Sequence, residues 1–128
     1  MTIREIGNGN AIAFLREHQA NREVVFIRPQ HVWFGAYEDG ELIGVCGLTR
    51  KHGRTELGGM LVDKAHRGGF AYAQLYFHRS AYLRKYGMDD KIVSYSRPGT
   101  SDCEAHDGFV CKQVFRNGTK KMVKERGS

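Results

Sequence analysis

The chain has 128 residues, 41% of them hydrophobic, which suits one folded domain spanning residues 1–128. No apolar run approaches the length that crosses a bilayer, and the first residues lack a stretch of signal-peptide length. Three cysteines, an odd number, make no disulfide framework, so a cytoplasmic protein without membrane contact is expected. The formal net charge of +6 favours anionic partners.

Alternation, periodicity and turn residues predict the secondary structure along the chain. Strands are expected at 2–6, 31–37, 41–50, 55–62, 91–96, 109–115 and 119–124, and helices at 10–20 and 70–86. Asn10 is expected to cap the first helix, and Gly87 to end the second. The stretch 22–29 is too short to assign, and 97–107 reads as a polar loop or a short irregular helix. Asn117-Gly118 predicts the turn of the last hairpin.

Apolar side chains indicate which surfaces form the core. One stripe of the second helix is expected to face the sheet, and it consists of Phe70, Ala73, Phe77 and Ala81, widened by Leu75 and Tyr82. Trp33, Phe34 and Tyr37 could form a stacking platform for nucleic-acid bases. Their alternation along a strand favours core packing for Trp33 and Tyr37 instead.

The segment from Leu61 to Leu75 carries the clearest indication of chemistry. It reads as the end of a strand, a basic glycine turn and the start of a helix. Small residues let backbone N–H groups approach a ligand, and a helix N-terminus adds unpaired donors with a partial positive charge. The sequence therefore predicts a site for a phosphate-bearing ligand, although an ordinary glycine loop gives the same pattern.

The same segment resembles the acyl-CoA-binding motif of the GNAT N-acetyltransferase superfamily, in which a strand ending in Val leads into Arg/Gln-x-x-Gly-x-Gly/Ala at a helix start. The match is the stretch 66–71, His-Arg-Gly-Gly-Phe-Ala. Either His66 takes the Arg/Gln place after a linker one residue short, or Arg67 takes it and the turn is one residue short. Gly108-Phe109 and the closing strands resemble a second landmark of the family.

The resemblance implies an α+β fold of GNAT type. Its mixed, mainly antiparallel central sheet would be flanked by helices, with a splay between the strand at 55–62 and the strand at 91–96. It also implies acetyl-CoA as cosubstrate and direct attack by a primary amine in a ternary complex. The cofactor-binding residues so implied are Leu61, Val62, Arg67, Gly68, Gly69, Phe70 and Ala71.

Two residues are candidates for proton transfer. The place of Glu56 matches that of a glutamate used as base in some GNAT enzymes, and a carboxylate paired with Arg50 or Arg54 explains it equally. Many members use a Tyr shortly before Gly-Phe to protonate the CoA thiolate, and this chain has none there. Tyr95 is the first substitute, because the end of its strand would face the sulfur, and His106 is the second.

Cys103-x-x-His106 together with Cys111 supplies three possible soft metal ligands. A closed zinc site usually needs four ligands, and this spacing matches no common zinc pattern. We therefore predict no metal site.

Positive charge is concentrated in the last 17 residues, where six cations, Lys112, Arg116, Lys120, Lys121, Lys124 and Arg126, are opposed by Glu125 alone. Nucleic acid or an acidic protein is the expected partner, bound through Lys120, Lys121 and Lys124. A solvated edge strand, kept from aggregating by its lysines, is the simpler explanation. The same edge could pair with a second copy of the chain.

Two other functions stay open on the same fold. The stretch 92–96 followed by His106-x-Gly108-x-Val110 faintly resembles the Mom-type phage proteins, which modify adenine in DNA, and a small basic enzyme suits a phage. A catalytically inactive module that binds only nucleic acid or a protein is the other possibility, since expected catalytic residues are missing.

Overall fold

The computed structural model describes residues 1–18, 29–96 and 107–126. Its described elements are the strands β1 (Thr2–Ile6), β2 (Val32–Glu38), β3 (Glu41–Lys51), β4 (Arg54–Val62), β5 (Lys91–Ser96), β6 (Val110–Val114) and β7 (Lys120–Glu125), and the helices α1 (Asn8–His18) and α2 (Ala71–Lys85). Every predicted strand is present, with each end within one residue. No described helix is long and apolar enough to span a membrane.

The strands form one sheet in the order β1-β2-β3-β4-β5-β7-β6. All described neighbours are antiparallel except β4 and β5, which are joined through α2 and run parallel, as strands on either side of a helical crossover do. Their pairing stops after Thr55↔Ile92 and Glu56↔Val93. Beyond Glu56 the two strands separate, and the predicted mixed sheet with a splay is confirmed.

The two helices pack on opposite faces of the sheet. Adjacent residues of β3 and β4 belong to different hydrophobic clusters, because successive side chains of a strand point to opposite sides. The cluster under α2 includes Cys46, Val62, Leu75 and Leu83. The cluster under α1 includes Phe14, Leu15, Trp33, Val45 and Leu61. We call these sides the α2 face and the α1 face.

A bulge in β4 lies at the start of the splay. Cys46 pairs with Met60 and Leu48 with Leu57, so one residue of β3 faces two of β4, Gly58 and Gly59. A bulge bends the strand that carries it. This bend coincides with the place where β4 leaves β5.

Helix α1 begins two residues earlier than predicted, and the assignment of Asn10 as its cap was wrong. The first turn is already closed by the Ala11 N–H, which donates to the carbonyl of Gly7 at 3.1 Å. The side chain of Asn8 is engaged elsewhere, because its Oδ1 accepts from Nε1 of Trp33 at 2.6 Å. Asn10 therefore lies inside the helix.

The predicted stripe of α2 was also wrong in part. Phe70 is 79% exposed and Phe77 is 62% exposed. The buried residues of the helix are Ala71, Leu75, Tyr76, Arg79 and Leu83. The guanidinium of Arg79 donates to the carbonyl of Gly47 at 3.1 Å. Because a charged residue lies at the centre of the buried face, the pattern of apolar residues in the sequence did not identify that face. Trp33 lies in the core as expected, whereas Tyr37 is only half-buried; Phe34 is buried as well.

Candidate functional site

The splay leaves one edge of β4 available to a ligand. Residues 57–62 are paired with β3 on one side. On the other side no described residue of β5 pairs with them, whereas β5 stays paired with β7 along its whole length, with Ser94 opposite Met122. Backbone N–H and C=O groups at such an edge can bond to an extended chain as a neighbouring strand would. The wedge between β4 and β5 is therefore a slot for a linear ligand.

The slot leads to a turn that presents backbone donors. After β4, a short 3-10 turn (Lys64–His66) is capped by Asp63, whose Oδ1 accepts from the His66 N–H at 3.0 Å. Gly68 has φ +91°, a conformation that favours glycine. Phe70, the N-cap of α2, makes no side-chain capping hydrogen bond. Backbone N–H groups at the N-terminus of α2 can therefore bind an anion. We call residues 67–71 the phosphate cradle.

Arg67 joins the cradle to the slot. Its Nε donates to the carbonyl of Val62, the last residue of β4, at 3.0 Å. A guanidinium has five N–H donors in a fixed fork, so this contact orients a cation at the point where slot and cradle meet. The structure thus brings together Val62 and Arg67, two of the predicted cofactor-binding residues.

A shallow cavity of about 250 Å³ lies against the cradle. Its lining consists of Met1, Glu38, Ile43, Ala65, His66, Arg67, Gly69, Phe70 and Ala71. Four of the predicted cofactor-binding residues, Arg67, Gly69, Phe70 and Ala71, therefore line the same cavity. The side chains of Leu61 and Val62 are buried in the two cores, so these residues can offer a ligand chiefly their backbone.

His66 and Asp63 form a pair that the sequence analysis missed. The His66 Nδ1 lies 2.6 Å from Oδ1 of Asp63, and its Nε2 lies 3.5 Å from a carboxylate oxygen of Glu38. The hydrogen bond to Asp63 raises the pKa of His66; partial desolvation opposes this shift, and the charges of Asp63, Glu38 and Glu41 add to it. When the ring is protonated, it places positive charge beside the cradle. The i, i+3 spacing of Asp63 and His66 around a short turn was the available indication.

Glu56 lies at the apex of the splay, in the last pair between β4 and β5. Its side chain is 12% exposed, and Oε1 lies 2.9 Å from Nη2 of Arg54. Lys51 Nζ lies 4.0 Å from the other carboxylate oxygen. Of the two arginines considered from sequence, Arg54 is therefore the partner, while Arg50 pairs with Asp90.

Tyr95 lies on β5 beyond the last pairing with β4. It is two residues from Val93, the partner of Glu56, and therefore on the same face of the sheet. Its ring is 46% exposed and lies 6.2 Å from the ring of Phe115, toward β6 and away from β4. The role of Tyr95 at the CoA sulfur stays a prediction.

Three candidates from sequence remain, Cys103, His106 and Cys111. Cys103 and His106 fall outside the described residues. Cys111 is exposed on β6. Within the described ranges, no group of three potential metal ligands is present.

A second polar cluster borders the α2 face. The Tyr76 hydroxyl donates to Oδ2 of Asp107 at 3.0 Å, and Nζ of Lys124 lies 3.2 Å from Oδ1 of the same carboxylate. Asp107 immediately precedes the Gly108-Phe109 landmark, and Phe109 is buried in the α2-face core. These contacts link α2 to β7 across the splay, between residues far apart in sequence.

Comparison with known proteins gives one family and many structural neighbours. The model of the Acetyltransferase (GNAT) family matches residues 5–97. Among curated proteins, none matches the chain in sequence.

Three solved structures illustrate the likeness in fold. An IAA acetyltransferase from Bacillus cereus is 17% identical, with a TM-score of 0.73 over 97% of this chain and 98% of its own. PaiA N-acetyltransferase from Thermoplasma acidophilum, in complex with coenzyme A, is 14% identical, with a TM-score of 0.69 over 98% and 99%. The ribosomal-protein-S18-alanine N-acetyltransferase from Escherichia coli is 14% identical, with a TM-score of 0.70 over 95% and 90%.

Proposed function

The chain belongs to the GNAT family of acetyltransferases, and from this premise we propose that it transfers an acetyl group from acetyl-CoA to a primary amine. The observation that carries the proposal is the continuity of the slot beside β4 with the phosphate cradle. A linear chain ending in a pyrophosphate fits that arrangement, since the slot offers strand-like hydrogen bonds and the cradle offers a helix N-terminus.

In this proposal the pantetheine arm lies along residues 57–62 and the pyrophosphate lies in the cradle beside Arg67. The thioester then reaches the apex of the splay, near Glu56. Holding amine and thioester together there removes much of the entropic cost of a bimolecular reaction.

The chemistry we propose is direct attack without a covalent enzyme intermediate. The amine nitrogen forms a bond to the acetyl carbon, and the bond from that carbon to sulfur breaks. Glu56 receives the proton that the amine loses. The CoA thiolate leaves, and Tyr95 is the group that we propose to donate a hydrogen bond or proton to it. We further propose that this happens in the cytoplasm, in keeping with the odd number of cysteines.

Acetyl-CoA is expected to stabilise the folded protein. A ligand that binds only the folded state at a hundred times its Kd adds about 2.7 kcal/mol, which raises the melting temperature of a domain of this size by roughly 10 °C. Thermal unfolding with acetyl-CoA, CoA and duplex DNA in parallel measures this. Absence of any shift with acetyl-CoA and CoA would contradict the proposal.

A nucleic-acid partner for the C-terminal hairpin is a second proposal. Lys120 is exposed at the start of β7, and Lys121 is partly exposed beside it, opposite Tyr95. Lys124 and Arg126 already have carboxylate partners, Asp107 and Asp89. Lys120 and Lys121 form no ion pair with any described carboxylate, and such cations beside an exposed aromatic ring suit phosphates and bases. The Mom-type resemblance would give such binding a purpose, and it stays a prediction.

Replacing Lys120, Lys121 and Lys124 with Gln is expected to weaken binding to DNA or RNA and to flatten its salt dependence. Each lost phosphate contact lowers the slope of log affinity against log salt by about 0.9. The variant with only Lys120 and Lys121 replaced keeps the Lys124–Asp107 pair, so its slope should fall by about 2.

The matched control replaces Arg84 and Lys85, exposed at the end of α2, with Gln. It removes the same charge and should leave the slope unchanged. Wild-type protein without measurable affinity for nucleic acid at low salt would leave the solvated edge strand as the explanation.

A further inference from the structure

Gln30 occupies a hollow made by two glycines on the α1 face. A Cβ at Gly58 would lie 2.8 Å from both Cδ and Oε1 of Gln30, and one at Gly47 would lie 2.8 Å from its Cγ. Any larger residue at either position would therefore displace this side chain. Gln30 is 8% exposed, so the sheet encloses a polar side chain almost completely.

The hydrogen bonds of Gln30 determine which end of its carboxamide a ligand can contact. The Thr49 hydroxyl donates to Oε1 of Gln30 at 2.5 Å. The backbone N–H of Gln30 donates to Oδ1 of Asn8 at 3.0 Å. No described residue accepts from the side-chain amide nitrogen. Among the described residues the buried side-chain atom without a partner is Nε of Arg54, so the amide nitrogen of Gln30 is accessible, and an oxygen supplied by a ligand can accept from it.

This donor lies beside the proposed base. Thr49 is paired with Glu56 across β3 and β4, and Gly58 follows Glu56 by two residues on the same face. Such positions are about 7 Å apart along a strand. One small ligand that carries both an amine and an oxygen can therefore contact both groups, each at a hydrogen-bond distance of about 3 Å.

Positive charge around Glu56 favours the same kind of ligand. Lys51 and Arg54 flank one carboxylate, which leaves an excess positive charge. Nε of Arg54 is buried and has no partner among the described residues. An oxygen with negative or partial negative charge therefore suits the surroundings of the amine.

We propose that Gln30 is an acceptor-binding residue and that the acceptor is an α-amino carbonyl compound, either a free amino acid or the N-terminal residue of a peptide. The Gln30 amide donates to the carbonyl or carboxylate oxygen, while the amine faces Glu56. This inference rests on the acetyl transfer proposed above.

The substrate class is tested with matched sets of amines in an assay of CoA thiol release. Each set, built on alanine, leucine or glutamate, contains the free amino acid, a dipeptide beginning with that residue, and the amine in which a methyl group replaces the carbonyl group. We expect turnover of the carbonyl-bearing members. Comparing the free amino acid with the dipeptide in each set then shows which of the two is the acceptor. Equal turnover of the carbonyl-free amines, or turnover of no member, would overturn the assignment.

Gln30→Met keeps the length of the side chain and removes the donor. We expect KM for the accepted amine to rise about ten- to a hundredfold, with kcat and CoA affinity much less changed. Gly58→Ala should raise KM similarly by displacing the carboxamide, and the double variant should be no worse than the single ones. An unchanged KM in folded Gln30→Met would refute the role of Gln30. Failure of the wild type to bind CoA would instead refute acetyl transfer.

Discussion

Gly69→Glu should strongly weaken CoA binding while the protein stays folded. A Cβ at Gly69 would have the carbonyl oxygen of His66 at 3.4 Å as its nearest neighbour, an ordinary contact, so a side chain fits. The new carboxylate would stand in the cradle against the pyrophosphate. Like charges in contact cost several kcal/mol, and CoA affinity should fall by about a hundredfold or more. Titration calorimetry with CoA, together with the melting temperature, measures both effects.

Gly9→Glu is the matched control for this variant. Gly9 also lies near a helix N-terminus, and a Cβ there meets nothing within 4 Å. The change adds the same charge to α1 instead of α2 and should leave CoA affinity unaltered. If folded Gly69→Glu binds CoA as tightly as the wild type, the pyrophosphate lies elsewhere.

Glu56→Gln should lower turnover by roughly a hundredfold or more, the usual contribution of a general base. The amide keeps the size of the side chain and cannot take a proton from the amine. CoA affinity should be spared, because Glu56 lies at the apex of the splay, at the opposite end of the slot from the cradle. Steady-state rates with an accepted amine, measured across pH, check the expectation.

Arg54→Gln separates the proposed chemistry from the ion pair. It removes the 2.9 Å contact to Glu56 and leaves the carboxylate in place. If Glu56 matters only as the partner of Arg54, both variants should lose stability alike and neither should lose much turnover per folded molecule. A Glu56→Gln enzyme with wild-type turnover at every pH would assign the proton to water or another group.

Local patterns allowed most of the fold to be predicted from sequence. Alternation and turn residues located the strands within one residue, and the resemblance to the GNAT family implied the splay. The buried face of α2 could not be found the same way. Leu75 and Leu83 lie on it with Arg79, whose partner is the carbonyl of Gly47 on β3. Only the packed sheet decides that an arginine is buried while Phe77 is exposed.

The candidate site, like the fold, could be predicted from sequence only in part. The cradle is continuous in sequence, so its glycines and Arg67 were visible as one motif. Gln30 was not visible, because its position depends on Gly47 and Gly58, which come from two other strands. The contact between Tyr76 and Asp107 joins residues 31 apart. Neither arrangement leaves a periodic or spaced pattern, since tertiary packing alone creates it.

The separation of the two cores bears on the order in which ligands can leave. Helix α1 is anchored through Ala11, Phe14 and Leu15, a smaller contact than the one beneath α2. Proteins open locally where buried apolar contact is smallest, at a free energy below that of global unfolding. A transient detachment of α1 would loosen the acceptor side while α2, with the cradle at its N-terminus, stays docked. If the acceptor binds on the α1 face as proposed, we expect the acetylated product to leave before CoA.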